Sequence, residues 1–238
     1  MTNTVEAVLE SFPNQHIPRI QGEPSYKSIT QVRKLILKNA ASVHSNLGGG
    51  NLGYLGLVVS PAKYLTISGN IAFVEYPNPP TLPPIPANAT QPQIASLTST
   101  HKEEKRLYKE QEAVKKALKN QITQAFDETY IEELKQPHTG YNNISIQNIF
   151  SFLYRTYGKI TTIDLELNDK RMNTPYNGEL PFGVFVKQIE DAVEMADAGE
   201  EPYTSKQIVN KAYNLLLKSG AYTLGCREWE AKPEADKT

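Results

Sequence analysis

Seven prolines fall between Pro77 and Pro92, in the stretch PNPPTLPPIPANATQP. Proline fixes φ and has no backbone N–H, so no helix can run through this stretch and no central strand can include it. The chain must therefore organise itself on either side of an extended, polyproline II-like segment. The plain reading is an exposed loop; the sharper one is a ligand for a proline-binding module.

Before that segment, residues 1–25 hold Pro13, Pro18 and Pro24 and no sustained period, and read as a flexible N-terminal arm. SITQVRKLILKNAASV then sets Ile29, Val32, Leu35, Ile36, Ala40 and Val43 at helical spacing, with Ser28 as the cap. Ser60 followed by Pro61 opens a short helix. After the prolines, a long charged helix is predicted over about 93–122, with Leu107, Val114, Leu118 and Ile122 as its apolar line. A helix from Ser145 carries Ile146, Ile149, Phe150, Leu153 and Tyr157 and stops at Gly158. A short helix and a turn follow. Phe182, Phe185, Val186, Ile189, Val193 and Ala196 make the next stripe, ended by Gly199. Thr204 and Gln207 form a capping box for a helix that ends at Gly220, and a last short helix holds Leu224 and Trp229. Only LGLVV and IAFVEY carry strand signals. The expected class is mostly α, in two helical lobes, 26–158 and 159–232. The tail 233–238, PEADKT, reads as a helix start cut from something longer.

The chemistry such a chain could carry is narrow. In SNLGGGNLGYLG, Gly48, Gly50 and Gly53 match the spacing of a phosphate-binding loop. That loop needs a strand before it and a helix after it, so that a helix N-terminus meets the phosphate. Here a helix comes first and an apolar run follows, and the lysine of a P-loop is missing. Gly48, Gly49, Gly50 and Gly53 are therefore expected to be a structural turn that uses positive φ. His16, His44, His101 and His138 are scattered without metal-ligand spacing, and the lone Cys226 reads as an inert thiol. The acidic set Glu190, Asp191, Glu194, Asp197, Glu200 and Glu201 lies mostly opposite an apolar stripe and reads as a solvated face. No catalytic residue, cofactor or metal is expected, and the chain is not expected to be an enzyme. Net charge is −1, so there is no bulk field to draw nucleic acid or an anionic membrane. One cysteine and no signal-peptide pattern fit a cytoplasmic location, and no stretch is apolar enough to predict a membrane span.

Three blocks carry a resemblance. They are KNAASVHSNLGGGNLGYLGLVVSPAKYL, ALKNQITQAFDETYIEELKQPHTGYNNISIQNIFSFLYRTYG and LNDKRMNTPYNGELPFGVFVKQIEDAVEMADAGEEPYTSKQIVNKAYNLLLKSGAY. In that order they resemble the Gag polyprotein of copia-type long-terminal-repeat retrotransposons, of the diatom-like Gag family. The likeness covers roughly residues 28–232. It implies two lobes of the retroviral capsid type, with residues 168–196 similar to the major homology region that opens the second lobe. It implies a structural protein that self-assembles in the cytoplasm into virus-like particles packaging the element's RNA. No zinc knuckle is present, so RNA would be held through a segment absent from this chain. A host-domesticated scaffold, with the lobes but without RNA packaging, is the alternative.

One helix stands out for association. Ile208, Val209, Ala212, Tyr213, Leu215, Leu216 and Leu217 cover an arc of roughly 200° at about 100° per residue. One core needs little more than about 100°. Val209 and Leu216 fall near the middle of the arc, and Tyr213 and Leu217 at its far edge. Those two are the candidate oligomer interface. The plainer reading is that other helices of the same lobe wrap this one on two sides.

Overall fold

The computed structural model describes residues 4–233 and 237. The chain is mostly helical and divides into two compact units, Met1–Gly158 and Lys159–Thr238. Among the described residues there is no strand, only an isolated bridge between Gln136 and Gly140. None of the described helices is long and apolar enough to cross a membrane.

In the first unit the helices are α1 (Val5–Ser11), α2 (Tyr26–Ser42), α3 (Pro61–Ser68), α4 (Gln91–Ala125) and α5 (Ile146–Tyr157). The centre of the unit is a three-helix contact, α2 and α5 each packing on α4 and on one another. Ile29, Val32, Ile36 and Ala40 of α2 meet Val114, Leu118 and Ile122 of α4 and Ile149 and Leu153 of α5 in one buried cluster. The 3.6-residue period of each helix places these side chains on a single face. Helix α4 buries no residue before Gln111, so its N-terminal half, charged from Lys102 onward, stands mostly in solvent.

The expected flexible arm is corrected over residues 4–20; residues 1–3 lie outside the described residues. Helix α1 docks on α4, and Val8 and Phe12 are buried in the main cluster. A buried amide pair then pins the chain that follows. Asn39 Nδ2 donates to Gln121 Oε1 and to the carbonyl of Asn14, each at 2.8 Å. Gln121 Nε2 donates to the carbonyls of Asn14 and Gln15 at 2.8 and 3.0 Å. The backbone N–H of Ile20 closes the path by donating to Ala125 at 2.7 Å. Two side-chain amides thus replace the water that the arm's backbone would otherwise need.

Both strand expectations are also corrected. Leu55–Leu57 forms a turn of 3-10 helix, buried because it fills the core beside α2 rather than because it pairs in a sheet. IAFVEY runs without helix, but its partner is a side chain. Gln111 Oε1 accepts from the Tyr76 N–H at 2.9 Å and Gln111 Nε2 donates to the Tyr76 carbonyl at 3.2 Å. Lys115 adds an ion pair to Glu75 at 2.6 Å. The start of α2 moves as well: Ser25 is the cap and Ser28 is its reciprocal partner three residues in.

The second unit holds α6 (Thr162–Met172), α7 (Phe182–Ala198), α8 (Ser205–Ser219) and α9 (Thr223–Glu230). Its core is small: Met172, Tyr176, Phe185, Ile189, Ala192 and Leu215. The buried Asn168 donates to the carbonyl of Ala192 at 2.8 Å and so ties α6 to α7. Asp169 accepts from Lys211 and Tyr203 at 2.7 and 3.0 Å and ties α6 to α8. Of the expected tail 233–238, only Pro233 and Lys237 lie within the described residues.

Candidate interaction groove

Two places bear on function: the glycine turn of the first unit and an apolar groove on the second.

The glycine turn follows the C-terminus of α2. Gly48, Gly49, Gly50 and Gly53 all have positive φ, at 58°, 88°, 82° and 54°. At Gly53 the chain presses against the last carbonyls of α2. An added Cβ would lie 2.6 Å from the oxygens of Ala41 and Val43 and 2.8 Å from that of Ala40. The next residue, Tyr54, donates its N–H to Ala40 at 2.8 Å. The turn therefore satisfies carbonyls that the helix end leaves free. Its surroundings are the acceptor end of a helix, where the dipole disfavours an anion. That polarity is opposite to the one a phosphate loop requires.

The groove lies between α8 and α9. Helix α8 presents Val209, Ala212, Tyr213 and Leu216, at the i, i+3, i+4, i+7 spacing of one helical face. Helix α9 presents Cys226 and Trp229. Phe182, the first residue of α7, and Tyr222, just before α9, complete the walls of a space of about 620 Å³. No charged side chain lines it. The aromatic wall is continuous with the core: Tyr222 lies 5.6 Å from Phe182 and 5.8 Å from Tyr176, ring centre to ring centre. Phe182 and Tyr222 remain 44% and 42% exposed, so their outer faces are open to solvent. Burial, and then the Glu230 carboxylate, raise the pKa of Tyr213 above the usual phenol value.

The two residues expected at an interface are placed differently. Tyr213 lines the groove, half-buried. Leu217 stands outside it, 44% exposed, one turn further along α8. Val209 and Leu216, at the middle of the apolar arc, are only half-buried and line the groove, and Leu215 is the one fully buried residue of α8. Phe182, Tyr222 and Trp229 were not expected at a site. Their place in it depends on how α7 and α9 approach α8, which no local pattern reports. Cys226 is buried. Among the described residues no three histidine, cysteine or acidic side chains come together to hold a metal ion.

Comparison with family models, with curated proteins and with solved structures finds no match.

Proposed function

We propose that this chain is a structural protein of the Gag capsid type, which self-assembles through its second unit into particles enclosing RNA. The observation that carries the reading is the distribution of apolar surface. Among the described residues, nine of the fourteen exposed large hydrophobics belong to the second unit, although it is about half the length of the first. Ile163 and Leu167 on α6, Val184 on α7, Leu217 on α8 and Leu224 on α9 are each 44% exposed or more. A unit with so small a buried core and so many exposed large apolar side chains gains apolar burial by association. The all-helical build and the order of the three Gag-like blocks support the same reading. RNA would be reached through a segment outside this chain, and the chemistry of the protein is packing.

The net charge of −1 favours a second reading, an interaction scaffold that keeps these surfaces and encloses no nucleic acid. Nuclease-resistant RNA in purified particles separates the two.

The test of self-assembly through the second unit is Leu217→Asp. The side chain is exposed, so the substitution leaves the unit folded. The variant is expected to keep the helical circular dichroism of the parent and to sediment as smaller species. Unchanged sedimentation would remove Leu217 from the interface, and loss of helicity would make it a core residue.

A further inference from the structure

Two uncovered features of this chain fit each other. The first is the groove between α8 and α9, walled by Phe182, Tyr213, Tyr222 and Trp229 and lined by no charge. The second is the proline-rich segment. Residues 81–88 are exposed at every position, with Leu82 at 47% and Ile85 at 44%.

We propose that the groove of one copy receives residues 79–86 of a second copy. The proposal rests on the self-assembly reading and names one contact that would build the assembly.

The chemistry of both sides supports the pairing. A polyproline II helix has three residues per turn and no internal hydrogen bonds. In PPTLPPIP, Leu82 and Ile85 therefore fall on one edge, and the carbonyls stay free to accept. Aromatic-walled grooves are the usual receptors for such segments, because flat rings pack on pyrrolidines while indole and phenol groups donate to the carbonyls. Among the lining residues Trp229 carries an indole N–H, and Tyr213 and Tyr222 carry phenol O–H groups. The charge of this segment suits the groove. From Tyr76 to Thr100 the chain has no Asp, Glu, Lys or Arg. An uncharged strap loses little on entering an uncharged groove, whereas a charged one would be desolvated without a partner. The segment's prolines already fix φ, which lowers the ordering cost of binding.

The second copy is the occupant because each copy carries both halves, with Leu82 and Ile85 of the strap and Phe182 and Tyr222 of the groove exposed. Strap to groove is a head-to-tail contact. Such contacts close into rings or propagate, as a shell requires.

Trp229 is the only tryptophan of the chain, so its emission reports on the groove directly. The probe is a synthetic peptide of residues 77–92, titrated into the full chain carrying Leu82→Asp and Ile85→Asp. A saturable change in Trp229 emission is expected. Binding should be at least about ten-fold weaker with Tyr222→Ala, as for an aromatic hot spot. The same two substitutions placed in the peptide, which leave the protein untouched, should abolish the change. In the wild-type chain, Trp229 emission should vary with protein concentration, and in the double variant it should not. No response to the peptide overturns the proposal, and leaves self-assembly standing if the wild-type chain still forms large species that Leu217→Asp disperses. A wild-type emission that differs from the variant's at every concentration means the groove holds the chain's own strap, and overturns the second copy as occupant. If the wild-type chain is monomeric at all concentrations, the self-assembly reading itself fails.

Discussion

The hydroxyl of Tyr64 donates to the carbonyl of Gly48 at 2.9 Å, and a Cβ on Gly48 would lie 2.1 Å from the Tyr64 hydroxyl oxygen. The turn is thus closed from outside by a phenol and from inside by the end of α2. Glycines in one loop then differ sharply in tolerance. Gly53→Ala meets backbone oxygens that cannot move aside, and adds the strain of a left-handed alanine. It is expected to cost roughly 3 kcal/mol or more. Gly50→Ala carries the left-handed strain alone, because the nearest atom to its Cβ is 3.6 Å away, and should cost about 1 kcal/mol. Tyr64→Phe should cost about 1 kcal/mol. Urea denaturation of the three variants checks the order; equal losses at Gly50 and Gly53 would contradict it.

The link between α6 and α8 is pH-dependent. The ammonium of Lys211 holds Asp169 below the usual carboxylate pKa, with Tyr203 assisting. A depressed folded pKa means that the stabilisation is present above the unfolded carboxylate value of about 3.9 and is lost as pH falls through the folded value. The Asp169 side chain is 49% exposed, so solvent screens the pair. Asp169→Asn should cost about 1 kcal/mol at pH 7, and the gap to the parent should close as pH falls through the lowered pKa of the folded carboxylate. A gap that stays constant with pH would mean that packing, not charge, makes the link.

Limited proteolysis separates the docked N-terminal segment from the uncovered strap. Residues 81–88 are exposed throughout, while Val8 and Phe12 are buried and Asn14 is held by two side-chain amides. Proteinase K on dilute protein should cut within 77–92 first and leave residues 4–20 intact. First cleavage between residues 12 and 20 would contradict the docking of α1.

What could be read in advance was set by short-range chemistry. The boundaries of α5, α7 and α8 follow from residues within one turn of each end, such as Ser145 and the Thr204–Gln207 pair. The docking of the first residues was not legible, because its cause is a contact between positions 14, 39 and 121. Asn39 and Gln121 look like solvated residues on their own helices and become buried only when α2 and α4 meet. LGLVV misled for a related reason: an apolar run reports burial, and a buried 3-10 turn has the same composition as a buried strand. Tyr213 could be singled out from the width of one helical stripe. Its partners in the groove could not, because Phe182 comes from the start of α7 and Tyr222 and Trp229 from the stretch of α9, on either side of α8 in the chain.

The central claim is that the chain assembles with itself through the apolar surface of its second unit. Electron microscopy of the purified full chain, over a range of salt and protein concentration, tests it most directly. Closed particles of regular size are expected for the wild-type chain, and their loss with Leu217→Asp. A wild-type chain that stays dispersed and monomeric under every condition would contradict it.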